Sequence, residues 1–348
     1  MACQGASPQT VSPDPTSAGC VLEKAVTPVD VAFCETFDAP APVITRSGQL
    51  DQTLWGVSRL NTHVNPPQGN LNNYFPTSVA GCGLAAPVMA PNDVRICNGR
   101  AHESANDMEG QSTVALYPKQ QFDFTHRTGT VSFDVSLDSQ GPHAAWPEFW
   151  ITDKPIPAPS DGRSANYAYA RHQFGITFGS KCGEGYTAVD RIATVRNYKL
   201  EHVAFTNPLP WTREHAQCFR SGSATGELNH VEIRVSATHV DVWVREPGAK
   251  KMLHVATADV DMPLTKGLIW LVDAHYNAGK FDTQGEHTFA WDNIAFHGPK
   301  TYRDLGFDVP DGATKHAPTS TTRAMRYVHC RVRTFSMPRR AGSVRTTR

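Results

Sequence analysis

In the run Trp-Pro-Glu-Phe-Trp-Ile, Trp146, Glu148 and Trp150 recur at every second residue, while Phe149 and Ile151 take the alternate positions. In an extended strand this spacing sends two indoles and a carboxylate to one face and the aliphatic pair to the other. If the aliphatic side meets the core, the trio faces outward. Its chemistry then suits a sugar: the flat C–H faces of a pyranose stack on aromatic rings, and the carboxylate accepts hydroxyl hydrogen bonds. The same spacing fits a second arrangement, in which both tryptophans are core, because Trp is highly buried on average.

The segment before it reads as a second strand. Val131, Phe133, Val135 and Leu137 alternate with Ser132, Asp134, Ser136 and Asp138, so residues 129–153 read as two strands around a Gly-Pro turn. Further strand candidates follow one another with turn residues between them: Val31–Phe37, Leu54–Leu60, Val94–Ile96, Thr113–Tyr117, Gln173–Phe178, Ala193–Asn197, His230–Ala237, His239–Val244, His254–Ala258, Leu268–Val272 and His287–Phe296. Around Ser236-Ala-Thr, Val231, Ile233 and Val235 are answered by Val240, Val242 and Val244, the pattern of a hairpin. No amphipathic helix interrupts the series. The expected fold is all-β, a two-sheet antiparallel sandwich.

The 348 residues carry no formal net charge, but the charge is lopsided. Residues 1–298 hold 22 Lys and Arg against 30 Asp and Glu, whereas residues 299–348 hold 11 against 3. An acidic body argues against nucleic acid as the main ligand, because phosphate binding needs a basic face. Three regions are expected: a Pro/Ser/Thr-rich linker over 1–27, the sandwich over 28–300, and a basic segment over 301–348 that is disordered or the stump of a further domain. The eight cysteines form no C-x-x-C pair, which disfavours zinc-ribbon and thioredoxin-type sites and favours disulfides in an exported protein. Proximity in sequence suggests Cys82 with Cys97 and Cys182 with Cys218. No apolar stretch is long enough for a membrane-spanning helix. Ala2-Cys-Gln-Gly looks like the end of a bacterial lipoprotein signal, so the expectation is a secreted or lipid-anchored monomer.

The order of these pieces, over residues 30–298, resembles the concanavalin A-like lectin/glucanase superfamily, and within it the bacterial laminarinase-like domains of glycoside hydrolase family 16. Phe33-Cys-Glu-Thr-Phe-Asp resembles the opening strand of that family, and Cys97-Asn-Gly-Arg its N-G-x-L strand. Gly129-Thr-Val-Ser-Phe-Asp and Trp146-Pro-Glu-Phe-Trp resemble the next two. His230 to Val244 looks like its long hairpin, Leu268-Ile-Trp-Leu-Val-Asp its L-I-L-N-L-A strand, and Trp291-Asp-Asn-Ile-Ala-Phe its closing strand. The resemblance implies a jelly roll whose concave face engages polysaccharide. It also exposes a departure. The family's E-x-D-x-x-E catalytic strand should follow the Trp-Pro-x-Phe-Trp strand, and here Ala170-Arg-His-Gln-Phe-Gly-Ile-Thr-Phe-Gly carries no carboxylate. Retaining hydrolysis needs two carboxyl groups about 5–5.5 Å apart, so the standard mechanism does not carry over.

Three uses of the concave face follow. Leu271, Asp273, His275 and Asn277 share one face of their segment, the side that the resemblance turns toward the groove. With Glu148, Asp153, His143 and His172 they would surround the tryptophans with carboxylates and imidazoles. Such a set could bind sugar hydroxyls, with His143, Trp146, Trp150, His275 and Asn277 as binding residues. It could instead catalyse glycoside cleavage through a rearranged acid/base set of Glu148, Asp153, His172 and Asp273. The third option is a structural or adhesive surface module with a filled groove. Asp190-Arg191 could extend the groove or form a plain surface ion pair. By resemblance, Asp292 joins a structural calcium on the convex side with the backbone carbonyls at Thr36 and Gly99, an oxygen set that calcium favours.

Overall fold

The computed structural model describes residues 20, 30–38, 50–51, 53–61, 92–106, 111–124, 129–137, 145–153, 170–179, 182, 185–209, 217–223, 226–276 and 286–298. Seventeen strands occur among them. Eight form one sheet: β1 (Asp30–Glu35), β3 (Asn92–Cys97), β4 (Arg100–Asn106), β7 (Gly129–Val135), β13 (Asn229–Val235), β14 (His239–Arg245), β15 (Met252–Asp259) and β17 (Glu286–Gly298). Nine form the other: β2 (Trp55–Asn61), β5 (Gln111–Pro118), β6 (Gln121–Asp123), β8 (Ala145–Thr152), β9 (His172–Gly179), β10 (Tyr186–Arg196), β11 (Lys199–Val203), β12 (Phe219–Arg220) and β16 (Lys266–Tyr276). The expected two-sheet antiparallel β-sandwich, a jelly roll, is therefore the fold.

The first sheet runs β15-β14-β13-β7-β17-β4-β3, and β1 also pairs with β17. The second runs β11-β10-β9-β8-β16-β5-β2, with β12 beside β10 and β6 beside β16. The expected hairpin around Ser236 is present, with Val231 opposite Val244, Ile233 opposite Val242 and Val235 opposite Val240. Strands β7 and β8, read from sequence as two strands around a Gly-Pro turn, lie in different sheets. Each is matched to a hydrophobic partner face of its own, β7 between β13 and β17 and β8 between β9 and β16.

The main core lies between the sheets. Val131, Phe133 and Val135 of β7 meet Phe149 and Ile151 of β8, and the rings of Phe133 and Phe149 stack across the interface at 6.0 Å. Phe296 of β17 closes one end, stacked on Phe33 at 4.9 Å and edge-on to Phe122 at 5.8 Å. Burying each such ring contributes roughly 1.5–3 kcal/mol, which is why the alternation of β7 and β8 fixes which side faces in.

A smaller cluster lies on the other side of the nine-stranded sheet, made only by that sheet's own residues: Ala115, Trp150, Leu268, Trp270, Val272 and Ala274, with Tyr117 and Trp146 packed against it. This outer face is the one on which the aromatic side of β8 comes to rest. Trp146, Glu148 and Trp150 thus lie on the side of the sheet away from the main core, with Trp150 and Glu148 themselves buried.

Two disulfides are present among the described residues, Cys182–Cys218 as expected and Cys20–Cys34. Cys82 lies outside the described residues, so its proposed pairing with Cys97 does too.

Candidate functional site

Antiparallel register lines up outer-face residues in rows across the sheet. In one row Val272, Glu148, Thr177 and Arg191 are successive cross-strand partners, and in the next Trp150 and Gly175 face Trp270 and Ala193. The second row is an aromatic ridge. Tyr117 packs on Trp270 at 4.0 Å between centroids, and the Trp270 indole N–H donates to Thr152 Oγ1 at 2.6 Å. Trp150 lies over Gly175, where an added Cβ would come within 2.9 Å of its Cδ1. Only glycine lets that indole lie flat on the neighbouring strand.

Beside this ridge a depression is lined by Trp150, Gln173, Gly175, Thr177, Arg191, Ala193, Val195 and Leu200. Arg191 reaches it through a bulge in β10, where the pairing with β9 jumps from Val189 opposite Phe178 to Arg191 opposite Thr177. The bulged residue is Asp190.

Glu148 sits beneath this surface with no exposed area. Thr177 Oγ1 donates to its Oε1 at 3.0 Å. Burial pushes its carboxyl up to about 8, with Asp190 adding to the rise. The Thr177 hydroxyl, the Arg191 charge and the Trp150 indole act against it without reversing it. At neutral pH Glu148 is therefore an uncharged carboxyl. Its Oε2 and the Oε1 of Gln173 are buried and have no hydrogen-bond partner among the described residues.

The other expected site residues do not join this group. Asp273 is the clearest correction. It pairs with Pro147 and Val114 on the same side as Ile269 and Leu271, inside the sandwich, whereas Trp270, Val272 and Ala274 take the outer face. There it neighbours Glu103, whose carboxyl is held well above its ordinary range by burial first and by Asp273 second. Glu103 accepts hydrogen bonds from Trp291 Nε1 at 2.7 Å and from the Leu116 amide at 2.9 Å. Asp153 and His172 fall at strand ends on the alternation of Ile151 and Phe174, the core side, joined by the Asp153 amide donating to the His172 carbonyl at 3.2 Å. The four-residue acid/base set of Glu148, Asp153, His172 and Asp273 is thus not brought together. His275 lies in β16 opposite Ala145; His143 and Asn277 lie outside the described residues. Trp146 is half-buried on the outer face, while Trp150 is 3% exposed and presents little more than an edge.

On the eight-stranded sheet, register gathers the expected calcium residues. Glu35 opposes Ile294 and Ala101 opposes Trp291, so the turns carrying Thr36 and Gly99 flank Asp292 where β1 and β4 meet end to end along β17. Burial, with Asp134 and Asp38 nearby, raises the Asp292 carboxyl to about 7 against the opposing Asn293 amide and Arg100. Among the described residues no three His, Cys, Asp or Glu side chains are arranged to hold a metal. A cation here would rest on one carboxylate and backbone carbonyls, and those donors fit calcium.

No family model and no curated protein matches the sequence. Among solved structures the chain is similar, at low sequence identity, to several β-proteins. One is a Bacillus subtilis protein of unknown function with a galectin-like fold, 11% identical over 77% of this chain and 95% of its own, at a TM-score of 0.42. A second is an immunostimulatory antigen and pseudo β-1,3-glucanase of Mycobacterium tuberculosis, 13% identical over 77% and 98%, at 0.41. A third is a non-specific endo-β-1,3(4)-glucanase of family GH16, 10% identical over 79% and 94%, at 0.43.

Proposed function

We propose that the outer face of the nine-stranded sheet, read as the concave face, binds a glycan chain along the depression beside Trp150. The observation that carries this reading is the depression itself, where Gln173, Thr177 and Arg191 line one surface with the Trp150 indole. Gln173, Thr177 and Arg191 would hydrogen-bond sugar hydroxyls, the half-buried Trp146 would meet C–H faces with Trp150 as a wall of the depression, and neutral Glu148 would support the floor without repelling electron-rich oxygens. Export to an oxidising compartment, where such polymers are met, is supported by the two disulfides.

The test is titration calorimetry of the full chain with soluble laminarin, xylan, glucomannan and polygalacturonate. Binding that weakens about ten-fold or more in Gln173→Ala and Arg191→Ala is the expected result. No binding to any of the four, or binding indifferent to both substitutions, would sink the reading.

A second reading, a hydrolase with a displaced acid/base set, has one observation in its favour. Glu148 is held protonated near neutral pH, and the Asp190 carboxyl lies within electrostatic reach of it, so two carboxyl groups share this region. Reducing ends released from the bound polymer by wild type and not by Glu148→Gln would establish it.

We further propose a structural calcium at Asp292 and the carbonyls of Thr36 and Gly99, pinning β1 to β17. Calcium at saturation over chelator is expected to raise Tm by about 5 °C in the wild type. Asp292→Asn should abolish that rise, and an equal rise in both proteins would argue against the site.

A further inference from the structure

The turn joining β10 to β11 is made by Asn197 and Tyr198, both with left-handed backbone, at φ 49° and 65°. A two-residue hairpin turn of this hand is normally Asn-Gly, because it needs positive φ at both central positions and a side chain with a bulky Cβ resists it. Asn tolerates the conformation; Tyr does not. The turn is held in place from outside: Arg171 Nε donates to Asn197 Oδ1 at 2.9 Å, and the Tyr198 amide donates to the Arg171 carbonyl at 3.2 Å. Neither contact uses the Tyr198 ring. That ring is 56% exposed, the one exposed large hydrophobic side chain among the described residues. It also makes no aromatic or cation–π contact with a described residue.

A strained position normally filled by glycine, occupied by a largely exposed aromatic residue with no ring–ring or cation–π partner among the described residues, points to use of the ring by something outside the fold. Its location says what. Val195 and Leu200 face each other across the hairpin, and both line the depression beside Trp150. Tyr198 precedes Leu200 by two residues, about 7 Å further toward the hairpin tip at the rise of a strand, on the order of the length of one sugar ring.

We propose that Tyr198 is a distal stacking subsite, engaging a sugar of the same chain one ring beyond the depression, so that the ligand is a polymer and not a mono- or disaccharide. This rests on the glycan-binding reading of the outer face. Its consequence is a division of labour: the depression takes hydroxyls through Gln173, Thr177 and Arg191, and the hairpin tip adds affinity only when the chain is long enough to reach it.

The experiment uses the full chain, the four soluble polysaccharides named above and their trisaccharides, with wild type, Tyr198→Gly, Tyr198→Trp and Arg191→Ala. Tyr198→Gly is expected to weaken binding of the polymer about ten-fold and to leave the trisaccharide unchanged, while Tyr198→Trp restores polymer binding. In the same variant, relief of the left-handed strain should keep Tm level or raise it, by up to about 3 °C. A fall in Tm would mean that the ring supports the fold, and would overturn the proposal. Polymer binding lost in Arg191→Ala but untouched in Tyr198→Gly would remove this subsite and leave the reading of the face standing. No binding by the wild type would remove both.

Discussion

Glu148→Gln is expected to make the protein markedly more stable than wild type at pH 8–9 and nearly equal to it at pH 4. Folding raises the Glu148 carboxyl from its ordinary 4.5 to about 8, chiefly by burial. The folded state therefore holds this proton more tightly than the unfolded chain does. The stability linked to it is complete below pH 4.5, declines as pH rises through the interval from 4.5 to 8, and is gone above it. Each unit of separation corresponds to about 1.4 kcal/mol, so the full effect approaches about 5 kcal/mol. Glutamine cannot ionise, keeps an oxygen to accept the Thr177 hydroxyl and fills the same space. Glu103 is also raised and gives the wild type a further alkaline decline, which the substitution leaves in place. The difference between the two proteins, measured by urea unfolding from pH 4 to 9, isolates Glu148. A constant difference across that range would mean that the carboxyl is not held protonated by the fold.

The second large effect is expected from Cys182→Ser with Cys218→Ser. The bridge closes a loop of sequence separation 36. On the chain-entropy account, removing it gives the unfolded state back freedom amounting to about 4 kcal/mol. Cys218 immediately precedes β12, which pairs Phe219 with Thr187 and Arg220 with Tyr186 at the start of β10. The bridge thus holds β12 against the strand that, a few residues later, bulges to deliver Arg191. Thermal unfolding should fall by roughly 10 °C. A reductant should lower the wild type by more than it lowers the double variant, which keeps Cys20–Cys34 as its reducible bridge among the described residues. A loss under about 1 kcal/mol would show that the unfolded chain is already constrained in this region.

Much of this architecture was legible in the residues, and the failures share one cause. Strand β7 alternates Val131, Phe133 and Val135 with Ser132 and Asp134, so only one face can be buried and the direction follows. The same holds for β13 and β14, whose valines and isoleucine meet as expected. Strand β16 is different: from Leu268 to Ala274 both of its faces are apolar apart from Asp273, because one meets the main core and the other the aromatic ridge. Alternation then carries no information about direction, and the charged residue was turned outward when it lies within. Gln173, Thr177 and Arg191 were missed as a group for another reason. They come together through cross-strand register and a one-residue bulge, neither of which is written in local spacing. The absence of carboxylates from β9, the strand that carries Gln173 and Thr177, was the one signal available.

Strand β17 has further meaning for how the molecule comes into being. Its thirteen residues bind β7 along one edge, and along the other β4 over its first half and β1 over its second. Asp30 at the start of β1 is opposite Gly298, so two of the most distant described parts of the chain are immediate neighbours. During synthesis β1, β4 and β7 emerge long before the strand that joins them, and each waits with an unpaired edge. Closure is therefore a late, slow event governed by long-range contacts. A ribosome stalled short of residue 286 would leave behind an open sheet prone to pair with its neighbours.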